Sequence, residues 1–109
     1  MNPAIEVAGR PIGPDQPLFL IAGPCVVEDH TATLAIAEAL VEMTTARNIP
    51  LIFKASFDKA NRSSARSYRG PGMEAGLKAL AAVRERLGVA VITDVHEYTP
   101  LDEVASVVD

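Results

Sequence analysis

Tryptophan is absent from this 109-residue chain, and aromatic residues of every kind make up only 5% of it. A core built from such a sequence must be aliphatic, drawn from Ala, Val, Leu and Ile. There is one cysteine, so no internal disulfide can staple the fold, and Cys25 is either a buried thiol or a functional one. No apolar run approaches the roughly 18 residues of a membrane span, and no basic-then-apolar leader opens the chain. No membrane partner and a reducing, cytoplasmic setting are therefore expected. An excess of positive charge is lacking too: the net charge of -4 argues against a nucleic-acid partner.

What is present is the composition of one compact globular domain, 49% hydrophobic and 22% charged. The charge is unevenly spread. Between Lys54 and Gly70 stand Lys54, Lys59, Arg62, Arg66 and Arg69, opposed only by Asp58. Half of the chain's ten basic residues thus lie in one short stretch of an acidic protein. Such a concentration points to an anionic ligand.

The hydrophobic pattern divides the chain into repeated units. Residues 1–17 are rich in Pro and Gly, and Ile5, Val7 and Ile12 around Ala8-Gly9 predict a small hairpin ahead of the main fold. Leu18-Phe19-Leu20-Ile21 is a continuous apolar run ending at Gly23-Pro24, the pattern of a strand buried on both faces. From about Thr31 to Arg47 the spacing becomes helical, with Leu34, Ala37, Leu40, Val41 and Thr44 on one side, and Asn48 and Pro50 end it. A second apolar run, Leu51-Ile52-Phe53, leads into a long polar loop. A second helix follows through Met73, Gly76, Leu77, Leu80, Val83 and Leu87, with Glu74 and Lys78 paired on its outer face and Gly88 as its stop. The run Val89–Thr93 is a third strand. Thr99 as N-cap, Pro100 at the first helical position and Asp102 would open a third helix.

Strand followed by helix, three times over, implies right-handed crossovers and a parallel sheet. Residues 18–109 therefore read as the first three βα units of an incomplete (β/α)₈ barrel, a fold that takes about 250 residues when complete. With helices on one face only, the other face of the sheet would be bare and apolar.

In such barrels the chemistry sits at the C-terminal ends of the strands and in the loops that follow. Each strand here ends in unusual residues: Ala22-Gly23-Pro24-Cys25, then Lys54 through Ser64, then Thr93-Asp94-Val95-His96-Glu97. Lys54 follows an apolar strand directly, so it either greets an anion in the barrel mouth or snorkels to solvent. Lys59, Asn61, Arg62 and Ser63 place an ammonium, an amide, a forked guanidinium and a hydroxyl within five residues, a set suited to a sugar phosphate; the alternative is a solvated loop. Cys25 is either a small hydrophobe or a thiolate metal ligand. Asp94 is placed to orient a base, bind a metal or cap the next helix, and His96 and Glu97 are equally open between a structural and a functional role. Arg66, Tyr68 and Arg69 could simply shape the loop before Gly70-Pro71-Gly72.

The second strand end carries a resemblance. Phe53-Lys54-Ala55-Ser56-Phe57-Asp58-Lys59-Ala60-Asn61-Arg62-Ser63-Ser64, continued by Ser67-Tyr68-Arg69-Gly70-Pro71-Gly72, closely resembles the signature of the 3-deoxy-D-manno-octulosonate 8-phosphate synthases, also called 2-dehydro-3-deoxyphosphooctonate aldolases. Ala22-Gly23-Pro24-Cys25 and Ile92-Thr93-Asp94-Val95-His96-Glu97 look like the first and third strand ends of that family, and the likeness runs from about Leu18 to Asp109. The resemblance implies a (β/α)₈ barrel, homotetrameric at full length, that condenses phosphoenolpyruvate with D-arabinose 5-phosphate and water, releasing phosphate, on the route to lipopolysaccharide. By the same resemblance Lys54 and Lys59 would contact phosphoenolpyruvate, with Lys59 also near the reacting aldehyde. Asn61 would bind hydroxyls of the pentose, Arg62 and Ser63 its phosphate, and this loop would serve its own or a neighbouring subunit's site. Asp94 would stand near the metal or the aldehyde, with His96 at the edge of the site. The family divides into members with Cys at position 25, which need a divalent metal ion, and members with Asn there, which do not. Cys25 puts this chain with the metal type, with the remaining ligands expected on strands beyond these three.

Two competing readings remain. The sister 3-deoxy-D-arabino-heptulosonate 7-phosphate synthases share the Gly-Pro-Cys element, though the Lys-Ala-Asn-Arg-Ser loop speaks against them. A shortened, non-catalytic chain that binds an anion or pairs with longer subunits is the other, and a chain this short is expected to be inactive alone.

Overall fold

A computed structural model of the protein describes residues 4–58 and 70–109. The chain opens with an antiparallel hairpin, β1 (Ile5–Val7) and β2 (Arg10–Ile12), in which Ile5 faces Ile12 and Val7 faces Arg10. Ala8 and Gly9 both take positive φ, as a two-residue turn whose twist matches the strands demands. The main body then alternates: β3 (Leu20–Ala22), α1 (His30–Ala46), β4 (Leu51–Lys54), α2 (Met73–Leu87), β5 (Ala90–Ile92) and the short α3 (Leu101–Ala105). The three later strands form one parallel sheet in the order β3-β4-β5. Three successive βα units of a (β/α)₈ barrel have this arrangement, in agreement with the expected α/β class.

Helix α1 starts where Asp29 accepts a hydrogen bond from the Ala32 N–H at 2.7 Å, satisfying one of the donors that a helix start leaves unpaired. Asn48, at positive φ, turns the chain away after it. Two threonines lie buried on this helix, and each hydroxyl returns its proton to the carbonyl four residues earlier: Thr33 to Asp29 at 2.7 Å and Thr44 to Leu40 at 2.8 Å. These bonds let a polar residue enter the core without an unmet donor. Helix α2 ends at Gly88 in the left-handed conformation, as its sequence predicts.

The core lies between the sheet and helices α1 and α2. Phe53, Ala55 and Val91 point from the sheet into a cluster with Leu34, Ala37, Leu77, Leu80 and Val83, and Val104 closes it from α3. Burial of each large side chain contributes about 1.5–3 kcal/mol. Near α2, the core depends on a glycine. A methyl group built on Gly76 would lie 2.3 Å from Cβ of Phe57, so only a hydrogen fits where the helix crosses that residue.

Two expectations need correction. The first strand was expected from Leu18 and buried on both faces; it starts at Leu20, with Leu18 82%, Leu20 40% and Ile21 47% exposed. The reason is position: β3 is the edge of the sheet, and among the described residues no helix covers its second face. The third helix was expected to begin with Thr99 as N-cap and Pro100 as the first helical residue. Instead Pro100 occupies the cap position without a side-chain bond, and Thr99 Oγ1 accepts from the His96 N–H at 2.9 Å. The threonine closes the turn before the helix rather than the helix itself.

Beyond α3 the chain returns to the sheet. The Asp109 N–H donates to the Val91 carbonyl at 2.8 Å, and the Asp109 carboxylate accepts the Val91 N–H at 3.0 Å. Arg84, from the last turn of α2, grips the same carboxylate through Nε at 3.1 Å and a terminal nitrogen at 3.2 Å.

The crossing at Gly76 yields a test. Gly76→Ala should destabilise the chain by up to about 2 kcal/mol in urea unfolding, an overpacking cost of up to about 3 kcal/mol exceeding the helix-propensity gain of about 1 kcal/mol. Adding Phe57→Ala should not rescue it, because the clashing atom is Cβ; recovery in the double variant would refute the geometry.

Candidate functional site at the strand C-termini

Along a strand, side chains alternate between faces, and level residues on neighbouring strands share a face. With Ile52 paired to Ala90 and Lys54 to Ile92, the face opposite the helices carries Ile52 and Ala90, then Lys54 and Ile92. Two residues further on, it carries Ser56 and Asp94. The register thus brings a basic, a hydroxyl and an acidic side chain to the C-terminal end of one face. At the other end of the sheet a cavity of about 80 Å³ separates Ile52 and Ala90 from the hairpin residues Val7 and Ile12.

The third contributor arrives through an irregularity. Ala22 pairs with Phe53, but the next bridge joins Val26 to Ser56, so four residues on the β3 side match three on the β4 side. The extra residue makes a bulge at Gly23-Pro24-Cys25. Bulges re-aim a side chain and end regular pairing. Gly23 is obligatory there, since a Cβ would stand 1.7 Å from the carbonyl oxygen of Lys54. Cys25 emerges exposed, not as a buried hydrophobe, and shares with Ile21, Gly23, Pro24 and Lys54 a groove of about 170 Å³.

Asp94 is the electrostatic centre of the group. Partial burial works to raise its carboxyl, but the Ser56 hydroxyl, its own backbone N–H, Lys54 and His96 together outweigh burial and hold it below the ordinary carboxylate range. His96 Nε2 lies 3.9 Å from Asp94 Oδ2 and 2.9 Å from the Asp58 carbonyl oxygen. The second contact fixes the ring: Nε2 donates to that carbonyl, leaving Nδ1 as the acceptor of the neutral tautomer. A larger groove, about 470 Å³, takes in His96 with Phe57, Asp58, Tyr98 and Pro100 but not Lys54 or Asp94.

Of the residues singled out in the sequence, Lys54, Asp94 and His96 are gathered at one end of the sheet, and Cys25 borders Lys54. Lys59, Asn61, Arg62 and Ser63 lie outside the described residues. Two neighbours of the site had no assigned part. Ser56 is fully buried level with Asp94, and Thr93 Oγ1 donates to the Ala55 carbonyl at 2.8 Å, tying the two strand ends together. The signal for Ser56 was available in the Lys-x-Ser alternation, once the register with Ile92-x-Asp94 is known. No group of three His, Cys, Asp or Glu side chains able to hold a metal ion occurs among the described residues. Cys25 alone does not make a metal centre, and the acidic and imidazole groups of Asp94 and His96 are not gathered around it.

Comparison with known proteins decides the ancestry of this arrangement. Residues 4–109 match the model of the DAHP synthetase I family. The chain belongs to this family. Within the family, the 2-dehydro-3-deoxyphosphooctonate aldolase of Alkalilimnicola ehrlichii is 64% identical over 105 residues, covering 96% of this chain. Proteins of the same name from Methylococcus capsulatus and Stenotrophomonas maltophilia (strain K279a) are 62% and 60% identical, over 95% and 96% of the chain. These are the synthases that the Lys54–Gly72 loop resembles. The chain spans only 37–38% of the length of these relatives.

The charge balance at Asp94 has a consequence for acid stability. Because its folded value lies below the unfolded one of about 3.9, ionised Asp94 stabilises the fold above that pH, and the contribution is lost as pH falls through the folded value. Asp94→Asn should therefore flatten the dependence of unfolding free energy on pH below about pH 4. Urea titrations followed by circular dichroism at a series of pH values would measure it, and equal slopes for both chains would contradict the account.

Proposed function

We propose that this chain is the N-terminal part of a synthase that condenses phosphoenolpyruvate with D-arabinose 5-phosphate and water, giving 3-deoxy-D-manno-octulosonate 8-phosphate and phosphate for lipopolysaccharide synthesis in the cytoplasm. The observation that carries the reading is identity of about 60% with proteins named for the octonate aldolase reaction, across nearly the whole chain. The gathering of Lys54, Asp94 and His96 at the strand ends supports it.

The chemistry asked of these residues follows from their placement. Phosphoenolpyruvate carries a carboxylate and a phosphate, and Lys54, emerging from an apolar strand into the mouth, offers a charge whose effect is strengthened where water is excluded. Lys59, Asn61, Arg62 and Ser63 are assigned to the same anion and to the pentose phosphate, with Lys59 nearest the aldehyde and Arg62 and Ser63 on the phosphate. The new carbon–carbon bond forms between the methylene carbon of the enolpyruvate and the aldehyde carbon, water adds to the adjacent carbon, and phosphate departs from it. Ionised Asp94 is suited to orient the aldehyde or water, with His96 at the edge. Cys25 is assigned as one thiolate ligand of a divalent metal ion whose other ligands lie outside the described residues; such an ion supplies Lewis acidity. The full-length assembly is assigned as a homotetramer.

An exchange experiment tests this. The first residues of the Alkalilimnicola ehrlichii aldolase, up to the position matching Asp109, are replaced by this chain, and phosphate release is followed with phosphoenolpyruvate and either aldose phosphate. Turnover is expected with arabinose 5-phosphate, at least tenfold slower turnover with erythrose 4-phosphate, loss in chelator and recovery on adding a divalent ion. Preference for erythrose 4-phosphate would overturn the substrate assignment, and full activity in chelator would overturn the role of Cys25. The 109-residue chain alone should release no phosphate.

A further inference from the structure

Among the described residues, Ser56 Oγ and Asp94 Oδ1 are the two buried side-chain oxygens that make no hydrogen bond of ordinary geometry, although the Ser56 hydroxyl lies close enough to the Asp94 carboxyl to lower it. A buried polar atom left unmet forfeits its hydration without replacement, so two such atoms in one place call for a common explanation. Continued two residues beyond the strands, the register that pairs Lys54 with Ile92 sets them level and on the same face. The strand ends that carry them are also tied to their neighbours. The Ser56 carbonyl accepts the Val27 N–H at 2.9 Å, and the residue before each is joined to its neighbour by the Thr93 hydroxyl on the Ala55 carbonyl at 2.8 Å. Ser56 is fully buried, and the only freedom left to its hydroxyl is rotation about Cα–Cβ and Cβ–O.

We propose that Ser56 is a positioning residue for Asp94: its hydroxyl donates to Asp94 Oδ1, satisfies both atoms and holds the carboxylate in one rotamer at the strand ends. A carboxylate is acceptor-only and a hydroxyl can donate, so the pair is complementary, and a hydrogen bond to a charged acceptor is about twice as strong as a neutral one. The remaining oxygen, Asp94 Oδ2, faces His96 and stays available at the mouth. Among the described residues, Lys54 and His96 are the charged or titratable groups acting on the carboxylate, and His96 is itself held by the Asp58 carbonyl. Ser56 thus aims the acid without needing to touch a substrate. The importance of that aim for catalysis rests on the function proposed above, whereas the contact itself does not.

The test is made by nuclear magnetic resonance on the 109-residue chain, comparing it with Ser56→Ala and Ser56→Thr. In the unaltered chain the Asp94 Hα–Hβ couplings should report one χ1 rotamer. Ser56→Ala should average those couplings and move the titration midpoint of the Asp94 carboxyl upward, while the amide shifts of Phe53, Leu80 and Val83 in the core stay in place. Ser56→Thr, which keeps the hydroxyl, should restore both. Unchanged couplings and midpoint in a folded Ser56→Ala chain would overturn the proposal. If the alanine variant unfolds, the unaltered chain and the threonine variant decide: averaged Asp94 couplings in either would overturn it, and a single rotamer in both, with a slowly exchanging hydroxyl proton at residue 56, would sustain it. No readout involves turnover, so failure of the aldose assay and failure of this contact are separate results.

Discussion

The parallel ladder between β4 and β5 is the constraint on which the remaining structure depends. Its register, Phe53 beside Val91 and Lys54 beside Ile92, sends Phe53 and Val91 into the fully buried cluster beneath α1 and α2. The same alternation turns Lys54, Ser56 and Asp94 to the opposite face. A slip of one residue would exchange the two sets, placing a lysine among aliphatic side chains and a phenylalanine at the mouth. Core and candidate site are therefore specified together, and the burial that stabilises the fold also fixes which polar residues meet at the strand ends.

Much of this was legible in the residues. Continuous apolar runs ending in Gly-Pro, Lys and Asp predicted the three parallel strands, and Gly88 marked the end of α2 without ambiguity. The hairpin was legible because Ala8-Gly9 admits the positive φ its turn requires. Less visible were features set by relations between distant segments. Apolar spacing along Leu18–Ile21 cannot reveal that β3 lies at an edge, since edge and centre strands have the same side-chain alternation. Thr99 followed by Pro100 carries the chemistry of a helix start. The His96 N–H competes for the same hydroxyl, and it wins because the turn brings it within 2.9 Å. The part of Ser56 depended on register, which a single sequence does not state.

The bulge at Gly23-Pro24-Cys25 shows how one extra residue changes what a strand can present. Regular pairing would have set Cys25 level with Ser56; the inserted residue shifts that place to Val26 and lets the thiol swing out beside Lys54. Pro24 cannot donate to a ladder and Gly23 alone can pass the Lys54 carbonyl, so both residues serve the same displacement.

The contact of Asp109 with Val91 makes the two borders of the sheet unequal. Both backbone groups of Val91 that face away from β4 are occupied, one by the Asp109 N–H and one by its carboxylate, and Arg84 holds that carboxylate from the side. Asp109 thus stands beside Val91 in the place where a further parallel strand of the barrel would begin. The β3 border has no comparable cover among the described residues, and Leu18, Leu20 and Ile21 are exposed there. These exposed apolar side chains are what the neighbouring strand of a closed barrel would cover, since closure leaves a sheet no edge.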